Sequence, residues 1–231
     1  MNTVLITGAN RGIGLEFCKQ YVKQGWRVIA CSRNPKQAME LSKLSAENSN
    51  IKLYKMDVID RKGVDELANE LTDVTIDLLI ANAGIYGDSN GHAFGNLDYS
   101  DWIKTLETNV LGAIKTIEAF MPNLVRSQNP RVAVISSQMG SIADNGSGGS
   151  ILYRSSKAAL NAAMKSLAID LQTDRVGVLI FHPGWVKTDM GGPSALIDAK
   201  TSVTGMVGQI DNFKISETGA FIKYDGTHLP W

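Results

Sequence analysis

A glycine-rich turn that opens at residue 8 limits what this chain can fold into more than any other feature. Residues 7–14 read Thr7-Gly8-Ala9-Asn10-Arg11-Gly12-Ile13-Gly14, a G-x-x-x-G-x-G spacing. It follows an apolar, strand-like run, Thr3 to Thr7, and opens an amphipathic stretch, Gly12 to Gln24. Gly8 permits a tight turn, Gly12 lets a pyrophosphate approach the backbone, and Gly14 lets the helix pack closely on the strand. The helix start then offers free N–H groups and a positive dipole end to the phosphates. Strand, glycine turn and helix in this order predict a dinucleotide site, with Gly8, Asn10, Arg11, Gly12, Ile13 and Gly14 as candidate contacts.

The rest of the chain repeats the alternation. Strands are predicted at Thr3 to Thr7, Arg27 to Cys31, Lys52 to Met56, Ile76 to Ala81, Arg131 to Ser136, Gly177 to His182 and Ala220 to Tyr224. Most are rich in Val, Ile and Leu with little polar alternation, as expected for strands covered on both faces. Helical patterns lie between them: Gly12 to Gln24, Lys36 to Ser45, Arg61 to Leu71, Tyr99 to Asn123, Ile151 to Thr173 and Ala199 to Ile210. Such an order predicts an α/β fold, a single doubly wound, Rossmann-type domain over 1–231 with a mostly parallel sheet of about seven strands. Two long loops, Ser137 to Ser150 and Pro183 to Asp198, follow strand carboxyl ends, where open α/β sheets bind ligands. The second, with Trp185, Met190, Leu196 and Ile197, is the expected substrate loop over a partly apolar pocket.

The end of the second strand indicates which dinucleotide binds. An acidic residue there would accept from a ribose 2′-OH. This chain has Ser32 and Arg33 instead, which suit a 2′-phosphate, because a guanidinium can grip it with two hydrogen bonds. NADP(H) is therefore expected over NAD(H), with Arg11 joining from the phosphate turn. Asp57-Val58 ends the third strand, where the carboxylate either accepts from the adenine amino group or caps the next helix. Asn82-Ala83-Gly84 ends the fourth, where small residues let the backbone pass beside the cofactor ribose.

The strongest chemical signal is Tyr153-Arg154-Ser155-Ser156-Lys157, which places Tyr153 and Lys157 one helical turn apart on one face. A free phenol titrates near 10, and a nearby ammonium is expected to lower that value toward the working range. Lys157 is also placed to hold the nicotinamide ribose. Ser136-Ser137 closes the fifth strand, and Ser137, at the start of the loop leading to Tyr153, is the better candidate to donate to a substrate carbonyl oxygen. Asn109 lies inside a long helical pattern. A poor helix-interior residue there predicts a local break, or a water held by its side chain that links Lys157 to solvent.

Composition narrows the partners. Lysine plus arginine and aspartate plus glutamate number 23 each, so no basic excess points to nucleic acid or an anionic membrane. Cys18 and Cys31 have no metal-ligand spacing and read as buried thiols, and no metal site is expected. No secretory pattern or membrane-length apolar run is visible, so a cytoplasmic setting is expected.

Taken together, these residues resemble the short-chain dehydrogenase/reductase family over essentially the whole chain. The resemblance rests on Thr7 to Gly14, Asn82-Ala83-Gly84, Asn109, Ser137, Tyr153, Lys157 and Pro183-Gly184 to Thr188. Asp144-Asn145, Ser147-Gly148-Gly149, the run His182 to Pro193, and the tail Tyr224-Asp225-Gly226 with Pro230-Trp231 make it most similar to C-factor-like and sniffer-like carbonyl reductases. The resemblance implies a catalytic tetrad of Asn109, Ser137, Tyr153 and Lys157. It also implies cofactor contacts from Pro183, Gly184, Val186 and Thr188, the last at the nicotinamide amide and pyrophosphate. The implied reaction is hydride transfer between nicotinamide and a small-molecule carbonyl or alcohol, with Tyr153 as general acid and base. A homodimer or homotetramer is the family expectation, and Ala158, Ala162 and Ala163 would permit close packing between subunits. Two departures stand out. The Ser137 to Tyr153 spacing is longer than usual, which brings in Ser141 as an alternative to Ser137, and Ala81 replaces a frequent asparagine. The competing readings are a dinucleotide-binding sensor or signalling protein, and an epimerase or dehydratase that retains its cofactor.

Overall fold

The computed structural model of the protein describes residues 1–88 and 93–231. Seven strands form one sheet: β1 (Thr3–Thr7), β2 (Arg27–Ser32), β3 (Ile51–Lys55), β4 (Leu78–Ala81), β5 (Arg131–Ile135), β6 (Gly177–His182) and β7 (Ala220–Lys223). Their order is β3-β2-β1-β4-β5-β6-β7 and each neighbouring pair is parallel. Successive side chains of a strand point to opposite faces, and both faces are covered, which is why β1, β4 and β5 are buried along their whole length.

The helices are α1 (Gly12–Lys23), α2 (Met39–Glu47), α3 (Arg61–Glu70), α4 (Tyr99–Leu106), α5 (Gly112–Leu124), α6 (Ile151–Asp170) and α7 (Ala199–Asp211). On one face, Cys18 and Tyr21 of α1, Leu41 of α2 and Met206 and Ile210 of α7 pack on Val4, Ile6, Val28 and Leu179. On the other, Leu67 of α3, Ile117 and Phe120 of α5 and Leu160 and Met164 of α6 pack on Leu5, Ile29, Leu79 and Val132. Cys18 and Cys31 are free buried thiols on opposite faces, as the sequence predicts.

Several element boundaries differ from the sequence expectation for local reasons. A short 3-10 turn at Pro35–Gln37 precedes α2, because proline suits the start of a helical turn. The expected single helix from Tyr99 is interrupted by a π-turn at Glu107–Leu111, where Gly112 N–H reaches back to the Glu107 carbonyl. Asn109 sits inside that turn, at the local break its residue type predicts.

The chain runs outward from β1 to β3, then returns to place β4 beside β1. The carboxyl ends of β1 and β4 therefore flank the switch point where ligands of such sheets bind. Side chains lock the two ends together. The Thr7 hydroxyl accepts from the N–H groups of Asn82 and Ala83, both at 3.0 Å. The Asn82 side-chain amide donates to the carbonyls of Thr7 at 2.9 Å and Gly8 at 3.2 Å. Thr7→Val keeps the shape and removes the acceptor. The loss should destabilise the fold by about 1–3 kcal/mol, read as a lower urea midpoint with an unchanged m-value.

Candidate active site

The glycine turn is shaped for close approach. Gly8 and Gly12 have φ of 65° and 54°, which side-chain-bearing residues rarely adopt. A β-carbon on Gly14 would lie 2.2 Å from the Gly8 carbonyl oxygen, so α1 could not start where it does. Across from Gly12 stands Thr188, whose methyl would lie 3.2 Å from a Gly12 β-carbon. The Thr188 hydroxyl accepts from Gly191 N–H at 3.1 Å, which folds this part of the loop back on itself. Beneath it, Val186 is buried and bridges Ile197, Gly184 turns with φ 86° against Ile197 and Tyr224, and the Pro183 carbonyl accepts from Ser202 at 2.5 Å. Loop 183–198 is thus anchored, with Trp185, Met190 and Leu196 exposed and Ile197 used for packing.

At the end of β2, Ser32 carries a buried hydroxyl without a hydrogen-bond partner among the described residues. Beside it a cavity of about 240 Å³ is lined by Asn10, Arg33, Asn34, Gln37 and Ala38. Among the described residues no carboxylate lines this cavity and one guanidinium does, a donor set that fits a phosphate. Arg11 is placed differently from expectation. It forms an ion pair with Asp189 of loop 183–198 and does not line the cavity, because Asp189 is its accessible counter-charge. The choice left open for Asp57 also resolves in part: Asp60 caps α3 by accepting from Gly63 N–H, whereas Asp57 accepts from Ile59 N–H. Val58 is buried in the core, against the start of α5. Ile13 packs on the α1 side and Ala83 on the opposite side of the sheet.

The expected catalytic residues converge at the carboxyl ends of β4 and β5. Tyr153 and Lys157 are both buried on the first turns of α6. Lys157 Nζ donates to the Ile135 carbonyl at 2.8 Å and stands 5.6 Å from the Tyr153 ring centre. The Ser137 hydroxyl neighbours the Tyr153 phenol and favours its ionised form. Ser137 also accepts from Met139 N–H at 3.1 Å, which starts the turn after β5. Ser141 faces elsewhere, donating to the Trp231 carbonyl at 3.0 Å and accepting from Asp144 N–H. Gly84 leaves room for this cluster: a β-carbon there would lie 3.2 Å from Asn109 Oδ1 and 3.7 Å from Lys157 Nζ.

Asn109 is tied to protein partners through both atoms of its side-chain amide. Its Oδ1 accepts from Ile85 N–H at 2.8 Å, and its Nδ2 donates to the Ile85 carbonyl and the Ser156 hydroxyl, both at 2.9 Å. Both N–H groups are committed to protein, so the side chain is a clamp between β4 and α6. One correction concerns the phenol. Burial pushes Tyr153 up to about 12; the neighbouring Ser137 hydroxyl lowers it and the Tyr86 phenol adds to the rise. The expected lowering by Lys157 does not occur in the protein alone, because the ammonium points to the Ile135 carbonyl and is itself pushed down to about 8 by burial.

Comparison with known proteins agrees with this fold. A sequence profile of the short chain dehydrogenase family matches residues 2–196. The chain belongs to the short-chain dehydrogenase family. This short-chain dehydrogenase is 44% identical over 156 residues to C-signal of Myxococcus xanthus, covering 68% of this chain and 93% of that protein. It superposes on carbonyl reductase Sniffer of D. melanogaster with TM-score 0.94 at 35% identity, covering 100% of both chains. It also superposes on an NADPH-bound carbonyl reductase from chicken fatty liver with TM-score 0.92 at 31% identity, covering 100% and 99%. Among the described residues, no helix is long and apolar enough to cross a membrane, and no His, Cys, Asp and Glu group is arranged to hold a metal.

Three residues of this dehydrogenase that stand beside Tyr153 escaped the sequence reading: Tyr86, Asp88 and Ser150. The Tyr86 ring centre lies 4.9 Å from that of Tyr153. The signal available was an aromatic and a carboxylate just after Asn82-Ala83-Gly84. Nothing local to that segment says that it folds over a helix some sixty residues later.

The buried lysine has a measurable consequence. An unfolded chain keeps the Lys157 proton to about its ordinary 10.5, the folded protein only to about 8. Between these values the unfolded state binds more protons, so this group adds stability as pH rises from 8 toward 10. Tyr153 acts oppositely, but only above 10, since its folded value lies higher than its ordinary one. Urea unfolding at pH 7 and pH 9.5 should show the wild type gaining stability relative to Lys157→Met. Parallel behaviour of the two proteins would contradict the buried, weakened ammonium.

Proposed function

We propose that the protein is an NADP(H)-dependent carbonyl reductase acting on a small-molecule carbonyl. The single observation that carries this reading is the buried cluster at the carboxyl ends of β4 and β5: the Tyr153 phenol beside Ser137, with Lys157 Nζ 5.6 Å from the Tyr153 ring centre. A phenol raised to about 12 is fully protonated at neutral pH, which is the state a proton donor to a reduced carbonyl needs.

Gly8, Gly12, Ile13, Gly14 and Asn10 would cradle the pyrophosphate, with Thr188 facing them and Val186 beneath. Asn82, Ala83 and Gly84 would border the ribose, with Pro183 and Gly184 shaping the opposite wall; Asp57 and Val58 would border the adenine. Ser32 and Arg33 would hold a 2′-phosphate, supported by the carboxylate-free cavity beside them. Bound there, the reduced dinucleotide supplies the hydride for the carbonyl carbon. Ser137 donates to the substrate oxygen and holds it beside Tyr153. Tyr153 gives its proton to that oxygen as charge develops there. Lys157 would hold a ribose hydroxyl, and its weakened hold on its proton suits it to reprotonate the phenolate. Asn109 keeps Ser156 and the first turn of α6 in register with the end of β4. The exposed Trp185, Met190 and Leu196 favour a partly apolar substrate. Self-association through the small-residue face of α6, where Ala162 is exposed, belongs to the same reading.

The test is NADPH oxidation by purified protein against a panel of aldehydes, ketones and diketones, with NADPH and NADH binding measured by fluorescence titration. Tyr153→Phe should bind NADPH normally and lose roughly 1,000-fold or more in turnover. Near-normal turnover on every active substrate would end the mechanism. Arg33→Ala should weaken NADPH by roughly 10-fold or more and leave NADH nearly unchanged. Equal loss of both would remove the 2′-phosphate assignment. The similarity to C-signal favours one second reading, a dinucleotide-binding signalling protein. Tight NADPH binding with no turnover on the panel would be its signature.

A further inference from the structure

The helix that carries Tyr153 is capped from outside itself. Ser150 occupies the N-cap position of α6 with φ 46° and ψ 47°, and its side chain makes no cap hydrogen bond. An N-cap oxygen ordinarily accepts from the second or third helical N–H. Those amides belong to Leu152 and Tyr153, and Asp88 takes both. Leu152 N–H donates to Oδ1 at 3.3 Å and Tyr153 N–H to Oδ2 at 2.8 Å. The Ser150 hydroxyl is turned instead to the Tyr86 hydroxyl, 2.6 Å away. The Tyr86 ring is tilted 40° against the Tyr153 ring at 4.9 Å between centres. A left-handed conformation at a serine persists only where its surroundings hold it. Tyr86 and Asp88 are those surroundings, and both come from the segment after β4.

We propose that Asp88 and Tyr86 are positioning residues for the reduction: Asp88 fixes the backbone of Tyr153, and Tyr86 fixes its ring and the turn before it. The inference rests on Tyr153 being the proton donor. The carboxylate holds the amides of two consecutive residues, one of them the reacting residue, so the segment after β4 sets the distance between phenol and Ser137. Its negative charge also suits the positive end of α6. The same segment begins with Asn82 to Gly84, which borders the proposed cofactor site. One stretch of chain thus touches both the cofactor cradle and the proton donor.

The experiment compares Asp88→Ala, Asp88→Asn, Tyr86→Phe and Tyr153→Phe, with folding checked by circular dichroism. Kinetics use the panel carbonyl that the wild type reduces best. Hydrogen–deuterium exchange of a peptide spanning residues 150–157 gives a readout without turnover. Asp88→Ala should exchange faster in this peptide and lower kcat roughly 10- to 100-fold, since small misplacements of a reacting group cost this much. Its KM and NADPH affinity should stay within about twofold, because no ground-state contact is lost. Asp88→Asn keeps an acceptor oxygen and should recover most of the rate. Tyr86→Phe should lower kcat by several-fold with KM unchanged. A folded Asp88→Ala protein with wild-type exchange or wild-type kcat overturns the proposal. So does failure of Asn to restore more than Ala, or a parallel loss of NADPH affinity, either of which marks a general structural role. Should Asp88→Ala fail to fold, wild-type kcat in Tyr86→Phe overturns it. Full activity in Tyr153→Phe would sink the underlying mechanism, whereas an inactive Tyr153→Phe beside a normal Asp88→Ala would sink this inference alone.

Discussion

The tie between the ends of β1 and β4 is the constraint on which the rest of the site depends. One hydroxyl, on Thr7, serves two backbone amides, and one side-chain amide, on Asn82, serves two carbonyls of the glycine turn. These four bonds fix the turn at the point where strand order reverses. The helix α1 then starts with Gly14 pressed against Gly8, a contact that no larger residue permits. Every other element of the site is referred to this point: Thr188 by facing Gly12, and Gly84 by leaving space for Asn109 and Lys157.

The π-turn at Glu107–Leu111 plays a comparable part for the reacting side chains. One extra residue in that turn lets Asn109 reach inward and grip Ile85 on both its N–H and its carbonyl. From there a bond to Ser156, and from Ser156 to the Tyr153 carbonyl, ties α6 to the sheet edge. Trp102 of α4 adds a bond to Ser155 at 2.8 Å. The start of α6 is thus held from several sides, which is what placing one hydroxyl for proton transfer requires.

Burial sets the chemistry of that hydroxyl and its neighbour in opposite directions. The phenol is pushed up and holds its proton firmly, while the ammonium is pushed down and holds its proton loosely. Both shifts disfavour the charged form of a buried group. In the proposed reduction, the protonated tyrosine donates and the lysine beside it replaces what was given. Exchange of those roles would need phenolate at rest, which the buried setting disfavours.

Much of this was legible in the sequence, because it is written in local patterns. The glycine spacing, the unbroken apolar strands and the Tyr153–Lys157 interval each express a backbone or helical geometry acting over a few residues, and together they point to the fold and to the pair proposed to react. Even the break at Asn109 was local, a polar residue out of place in a helix. The partners of those residues were not legible. Arg11 turning to Asp189, Asp60 taking the cap that was one of two readings for Asp57, Asn109 spending its side chain on Ile85, and Asp88 capping a distant helix all depend on which loops meet at the sheet edge. The direction of the Tyr153 shift was misread for the same reason, since proximity to a lysine is a sequence fact but burial is not. What the sequence determined is the order of strands and helices and the residue types available at each strand end; what only the tertiary structure decided is which polar atoms find one another there and how dry the place is where they meet.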